Sequence, residues 1–191
     1  GIAEPELLAK TVKDLDLYHP EKIETDKVIE MALAAEEASM GYDEKITNSN
    51  GAGFSNTEKY RAYGNSNGFV GGYASSSYFL SASPIAQDAE GNMERDYDYT
   101  VSRIFQELKD PAKVGALSAE KAISRLGAQK IPTSNMPVIF DAKCATGLVG
   151  HFLSAISGGS IYRKSSFLLD KLDTKVFPEV ISVTEKPHIL R

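Results

Sequence analysis

The spacing of apolar residues changes character along the chain, and each change marks a different kind of element. Val28, Ala32, Ala35 and Ser39, with Ile29, Leu33 and Glu36 beside them, recur at helical intervals. Thr25 suits an N-cap, Asp26 and Glu30 sit where the helix dipole favours carboxylates, and Gly41 is a natural stop. The pattern therefore predicts a helix from about Thr25 to Gly41. The stretch before it, closing on Leu15-Asp16-Leu17-Tyr18-His19-Pro20, is short, mixed and ended by proline, which predicts extended chain.

From Lys45 to about Val101 the helical period disappears, and Gly, Ser, Asn, Tyr and Phe dominate. The pairs Asn50-Gly51 and Asn67-Gly68 supply the positive φ angles of tight hairpin turns, and Asp88-Ala89-Glu90-Gly91-Asn92 reads as a longer hairpin loop. Strand segments are expected over 46–49, 54–63, 69–83 and 93–101, each forming one or two antiparallel strands joined as a meander. Asp110-Pro111 then opens a helix as N-cap and N1, with Ala116, Ala119, Ile123 and Leu126 on one face and Gly127 past its end. Val138-Ile139-Phe140 is a short strand candidate, and Asp141 can cap a third helix running to about Ser157, ended by Gly158-Gly159. Beyond the short apolar run Phe167-Leu168-Leu169, residues Val180-Ile181-Ser182-Val183 predict an edge strand.

The fold class predicted is α+β: an antiparallel β-meander sheet packed against about three α-helices. Along the chain this gives a leading segment plus helix over 1–44, the meander over 45–108, and a helical part with short strands over 109–191. The chain starts at Gly1 and stops at Arg191 without tail-like composition, which reads as one fragment of a larger protein.

Composition narrows the possible partners. A formal net charge of -5, a pI near 5.3 and scattered basic residues argue against direct nucleic-acid or anionic-membrane binding, which needs clustered Lys and Arg. The longest local basic cluster, Arg163-Lys164, is two residues. Cys144 is the single cysteine, so the chain can form neither an internal disulfide nor a thiolate cage, and a cytoplasmic location is expected. No apolar run approaches the roughly 18 residues needed to span a bilayer.

Candidate chemistry is sparse. His19, His151 and His188 lack metal-ligand partners at helical or hairpin spacing. His151 stands among small residues, Gly147, Gly150, Ser154 and Ser157, so this helix either contacts a peptide or packs tightly on the sheet. The glycines of Gly64 to Tyr73 lack the Lys-Ser/Thr of a phosphate loop and suit bulges in a twisted sheet. Ser75-Ser76-Ser77 lacks a nucleophile elbow and is expected to present one solvated hydroxyl face. Glu94, Asp96 and Asp98 alternate with Met93, Arg95, Tyr97 and Tyr99, which places three carboxylates on one strand face. They could hold a divalent cation or raise a pKa, but an exposed acidic face opposite a buried aromatic one is the reading preferred.

Several segments resemble one family in the same order along nearly the whole chain. These are Asp16-Leu17-Tyr18-His19-Pro20, the stretch from Ile46-Thr47-Asn48 to Gly53-Phe54-Ser55, Gly64-Asn65-Ser66, Met93 to Thr100, and Ile156 to Asp170 with Arg163-Lys164 inside it. The chain is similar to the middle region of the TldD/PmbA family of metalloproteases, also known as modulators of DNA gyrase, and within it to the PmbA (TldE) branch. The resemblance implies an H-E-x-x-x-H zinc motif on a helix before the Arg-Lys pair of the catalytic TldD branch. Aligned on Arg163-Lys164, its two metal-ligand positions fall on Gly150 and Ala155, and its glutamate falls on His151. Gly and Ala cannot ligate, so no catalytic or metal residues are assigned to this chain, and zinc is expected in a TldD-type partner subunit.

What the resemblance implies about function is a non-catalytic subunit of a homo- or hetero-oligomer. Such an assembly would admit peptides or unfolded proteins, mature peptide antibiotics and degrade antitoxins. His151, Arg163 and Lys164 are the substrate- or partner-binding candidates. Two alternatives stand beside it: a protease completed by residues outside this chain, and a regulator of gyrase acting through protein contact.

Overall fold

The computed structural model describes residues 4–190, and its compact units divide at Gln129. One unit runs up to Gln129 and takes in the chain from Pro187 onward; the other is Lys130–Lys186. The helix after Asp110 therefore belongs with the sheet, whereas the sequence pattern grouped it with the C-terminal part.

In the first unit, helix α1 (Thr25–Met40) leads into strands β1 (Ile46–Gly64), β2 (Val70–Gln87), β3 (Met93–Arg95) and β4 (Asp98–Ser102), followed by helix α2 (Pro111–Ser124). The sheet is antiparallel, with β2 in the middle: β1 pairs along one edge, β3 and β4 along the other. With the helices on one side, the architecture is the expected α+β.

The Asn67-Gly68 turn is where the sequence put it. Gly68 has φ +85°, and the Asn65 side chain accepts hydrogen bonds from the backbone N–H of Asn67 and Phe69. The 88–92 loop is likewise built on one side chain: Asp88 accepts from the N–H groups of Glu90 and Asn92 and from the Asn92 amide. The Asn92 side chain first, and then the loop N–H groups, hold the Asp88 carboxyl below the ordinary carboxylate range.

Asn50-Gly51, by contrast, is not a hairpin turn. Gly51, at φ +106°, sits in a β-bulge where the register shifts between Ser49 and Ala52, so the expected strands over 46–49 and 54–63 are one continuous β1. A positive-φ glycine serves a bulge as well as a turn, and the partner strand decides which.

Alternation along β2 sets the core. Ser76, Tyr78, Leu80, Ala82, Pro84 and Ala86 are buried, and the odd-numbered residues between them face the other way. Leu80 and Ala82 pack with Met31, Ala35 and Val114, while Ala86 and Ile46 pack with Ala119 and Ala122. Both helices thus cover the even face of β2. Helix α1 buries Met31, Ala35 and Ser39 and leaves Ile29 and Leu33 half exposed, a narrower stripe than the sequence pattern suggested. Glu24 occupies its cap position, so Thr25 opens the helix rather than capping it. Helix α2 starts as expected, with the Asp110 carboxylate accepting from the N–H of Ala112 and Lys113 ahead of Pro111.

The two helices meet at Gly115. A Cβ built there would run into the carbonyl oxygen of Ala35 and lie 3.0 Å from the Cβ of Ala38. The backbones touch because this position has no side chain.

The acidic strand is the reverse of the expectation. The 93–101 segment, expected as one strand or two, forms two short strands broken at Asp96 and Tyr97, and its carboxylates turn toward α2. The Asp98 side chain is 2% exposed and pairs with Lys121 and, at 3.8 Å, with Lys109. Arg125 lies 3.4 Å from Glu94 and 3.5 Å from Asp96. Tyr97 and Tyr99 are the outward side chains, 58% and 38% exposed. The cations of α2, placed by its packing, draw the acids inward; no period-2 rule contains them.

In the second unit, helix α3 (Ala142–Ile156) is capped by Asp141, whose carboxylate accepts from the Lys143 N–H at 2.9 Å. It ends at Ile156 with Ser157 in extended conformation as its C-cap, where the sequence put the end, but a further helical turn follows. Ser157 accepts from the Ser160 N–H and starts a second short helix, α4 (Gly158–Tyr162). Neither 138–140 nor 180–183 is a strand: Ile139 is 98% and Val180 91% exposed, and no neighbouring strand among the described residues supplies a ladder. Phe152 meets Phe177 edge-on at 5.0 Å between ring centroids, and Ala155 and Leu168 are buried.

Two expected outcomes follow from this packing. Gly115→Val forces α1 and α2 apart and lowers unfolding free energy by about 1–3 kcal/mol in urea titration, whereas Gly147→Val, with open space around its Cβ, does not open a helix–helix contact. Lys121→Met strips the principal partner from a buried carboxylate and costs about 1–3 kcal/mol by the same measurement; the double variant with Asp98→Leu recovers part of it.

Candidate functional site

Two places carry the functional question: the helix where the family's metal motif would lie, and the sheet face that the helices leave open.

Helix α3 holds the first. Gly150, His151 and Ala155 all lie on it; Gly150 and His151 are exposed, and Ala155 is buried. Neither Gly150 nor Ala155 has a donor atom. Among the described residues no three His, Cys, Asp or Glu side chains gather around a common point. These residues do not fit a catalytic zinc, which takes three protein ligands and one open position. The small-residue stripe is open as well, since a Cβ at Gly147 or Gly150 would meet nothing within 4 Å. Arg163 follows α4 and folds its guanidinium back toward Gly159, while Lys164 adopts φ +55°. His151, Arg163 and Lys164 are all exposed.

The open face of the sheet is shaped by hairpin register. Pairs equidistant from Asn67 stand opposite one another: Arg61 and Tyr73, Lys59 and Ser75, Thr57 and Ser77. All are odd-numbered and share the face away from the helices. The segment before α1 seals the edge of β2 here. The Ser76 N–H donates to Leu17 O at 2.9 Å, the His19 N–H donates to Ser76 Oγ at 2.8 Å, and the Tyr78 hydroxyl donates to His19 O at 2.8 Å. Ser76 Oγ in turn donates to Arg103 O at 2.8 Å, and the Arg103 guanidinium donates back to Ser76 O at 3.4 Å. Of the three neighbouring serines, Ser76 is a buried tie on the even face, and Ser75 and Ser77 share the odd face.

The result is a cleft of about 260 Å³ with Lys59, Arg61 and Arg103 in its wall beside Thr57, Ser75 and Ser77. Sequence reading missed it. The signal available was the i, i+2 pair Lys59 and Arg61, combined with the register fixed by the Asn67-Gly68 turn; Arg103 becomes part of it only through the fold.

On the even face of β1, Tyr18 donates to Glu58 Oε2 at 2.7 Å, and the Tyr60 hydroxyl, 3.3 Å from the same oxygen, lies within hydrogen-bond reach of both that oxygen and the Tyr18 hydroxyl. The bond to Tyr60 and then that to Glu58 push the Tyr18 phenol above its ordinary range. This cluster holds the leading segment against the hairpin.

Two domains of one metallopeptidase class account for nearly the whole chain. The profile described as the PmbA/TldA metallopeptidase central domain matches residues 18–126, and that of the PmbA/TldA metallopeptidase C-terminal domain matches residues 133–191. The chain belongs to the PmbA/TldA metallopeptidase family. It is 49% identical to a metalloprotease PmbA homolog of Haemophilus influenzae and 44% identical to metalloprotease PmbA of Escherichia coli O157:H7, in each case over 191 residues. Those alignments cover 100% of this chain and 42% of each relative, so the chain spans about two-fifths of their length. A crystal structure of a candidate modulator of DNA gyrase from Bacteroides thetaiotaomicron superposes with a TM-score of 0.90 at 29% identity, covering 100% of this chain and 44% of that one. A second, from Thermotoga maritima, gives 0.75 at 25% identity over 85% of this chain and 38% of that one. The fold is that of these proteins. No helix among the described residues is long and apolar enough to cross a membrane.

The Tyr18 cluster has a pH signature. Its folded pKa lies above the unfolded value of about 10, so its contribution is complete below that pH and is lost as pH rises toward the folded value. In absorbance titration, the signal removed by Tyr18→Phe is expected to ionise later than the other exposed tyrosines, and Glu58→Gln to bring it earlier.

Proposed function

We propose that this protein acts as the non-catalytic subunit of a cytoplasmic TldD/PmbA-type metalloprotease complex, with zinc and peptide hydrolysis supplied by a TldD-type partner. The observation carrying the reading is the pair Gly150 and Ala155 on α3, where the family's motif would place two metal-ligating histidines. A helix lacking both ligands has no means of lowering the pKa of a metal-bound water. Membership of a metallopeptidase family supports a role in the same reaction, and an open sheet face supports a part in holding extended substrate. Peptides and small unstable proteins are the substrate class, with peptide-antibiotic maturation and antitoxin degradation as settings. His151, Arg163 and Lys164, all exposed, are available to substrate or partner.

Reconstitution tests this. The TldD-type subunit alone is expected to hydrolyse an unfolded peptide at least roughly tenfold more slowly than the mixture with the full-length protein. Undiminished hydrolysis by that subunit alone would refute the subunit role, as would stoichiometric zinc together with peptidase activity in the full-length protein by itself.

A further inference from the structure

The cationic cleft on the open sheet face is not accounted for by packing. Lys59 and Arg61 are exposed, two residues apart on one strand, and project to the same side, so their charges repel at roughly 7 Å. Arg103 comes from the end of β4 and is fixed on Ser76 O. No carboxylate lines this cleft among the described residues, although the chain as a whole carries a net charge of -5. The nearest acid along β1, Glu58, points to the opposite face and is engaged by Tyr18 and Tyr60. Three cations gathered without a counter-charge, with three hydroxyls between them, form a receptor for an oxyanion. A guanidinium held by a backbone carbonyl is already oriented, so little freedom is lost when it binds.

The surroundings select the kind of anion. Two residues past Ser77 on the same face is Phe79, stacked on Tyr99 at 5.6 Å, with Tyr97 stacked on Tyr99 at 6.2 Å and Val101 opposite Phe79. Val101 is 54% exposed, as open as the two tyrosines. This apolar shelf begins roughly 7 Å from the cleft, the rise of two strand residues. The cleft has room for about eight water volumes, enough for a terminal group and the residue behind it. A free phosphate would use the cations and leave the shelf bare; a peptide would use both.

We propose that the cleft of Lys59, Arg61 and Arg103 binds the C-terminal carboxylate of a peptide, and that the Phe79–Tyr99 shelf takes an apolar side chain shortly before that terminus. The assignment rests on the proposed role in peptide processing only for the class of ligand; the charge arrangement stands apart from it.

Binding to the full-length protein by fluorescence anisotropy tests the proposal, with a labelled peptide carrying an aromatic residue two positions before a free C-terminal carboxylate. The same peptide as its C-terminal amide and inorganic phosphate as competitor form the other arms. The amide is expected to bind at least about tenfold more weakly, 1.4 kcal/mol. Lys59→Gln with Arg61→Gln, both at exposed positions, should weaken the acid by a similar factor and leave the amide unchanged. Arg103→Gln should do the same if its fold, checked by circular dichroism, is intact; the exposed double variant decides the matter if it is not. Equal binding of acid and amide, no binding of either, or a double variant that binds the acid like the wild type would overturn the proposal. Phosphate binding as tightly as the peptide acid would assign the cleft to a free phosphoanion and overturn it too. The protease subunit is absent from this assay. Failed reconstitution with intact acid-over-amide preference would therefore remove the subunit role and leave the cleft standing, and the opposite result would do the reverse.

Discussion

The absence of a side chain at Gly115 is the constraint on which the first unit depends. Two helices cover one face of β2, and they can do so together only if their backbones come into contact, which they do where Gly115 meets the Ala35 carbonyl. The residues in contact are small to match, Ala35 and Ala38 on α1 against Gly115 on α2, and Ser39 and Ser118 are buried on the same two helices. Both serines turn their hydroxyls back to their own helix, Ser39 to Glu36 O and Ser118 to Gly115 O, so burial leaves neither without a partner. With α2 seated there, Lys121 and Arg125 lie over the acidic strands, and Asp98 is drawn into the interior. The same arrangement confines both helices to the even face of β2 and leaves the odd face with its cationic cleft and aromatic shelf open.

Elements governed by local chemistry were legible in the sequence. The caps at Asp110 and Asp141, the stop at Gly41 and the turn at Asn67-Gly68 are each settled within a few residues, and the structure has them at those positions. What failed depended on distant partners. Asn50-Gly51 carries the residues of a turn, yet the long partner strand β2 continues past it and makes it a bulge. Val138-Ile139-Phe140 and Val180 to Val183 have strand composition but no neighbour among the described residues to pair with. The end of α3 near Ser157 was legible, whereas the short helix α4 that Ser157 caps through Gly158-Gly159 was not.

The candidate site was partly legible for a similar reason. Gly150 and Ala155, where the resemblance places two metal ligands, carry no donor atom, and that much is read from residue identity alone. The cleft is different. Its three cations span 59 to 103 in sequence, look scattered in a linear reading, and are gathered only by hairpin register and by the end of β4. Net charge therefore describes the chain as a whole and conceals a local surplus of cations on this one face.

The proposed non-catalytic role requires that helix α3 hold no metal in the full-length protein. Anomalous diffraction at the zinc edge, from crystals of the full-length protein soaked with zinc, addresses it directly. No peak is expected within bonding distance of residues 150–155. A peak there, closed by donors from elsewhere in the protein, would contradict that role.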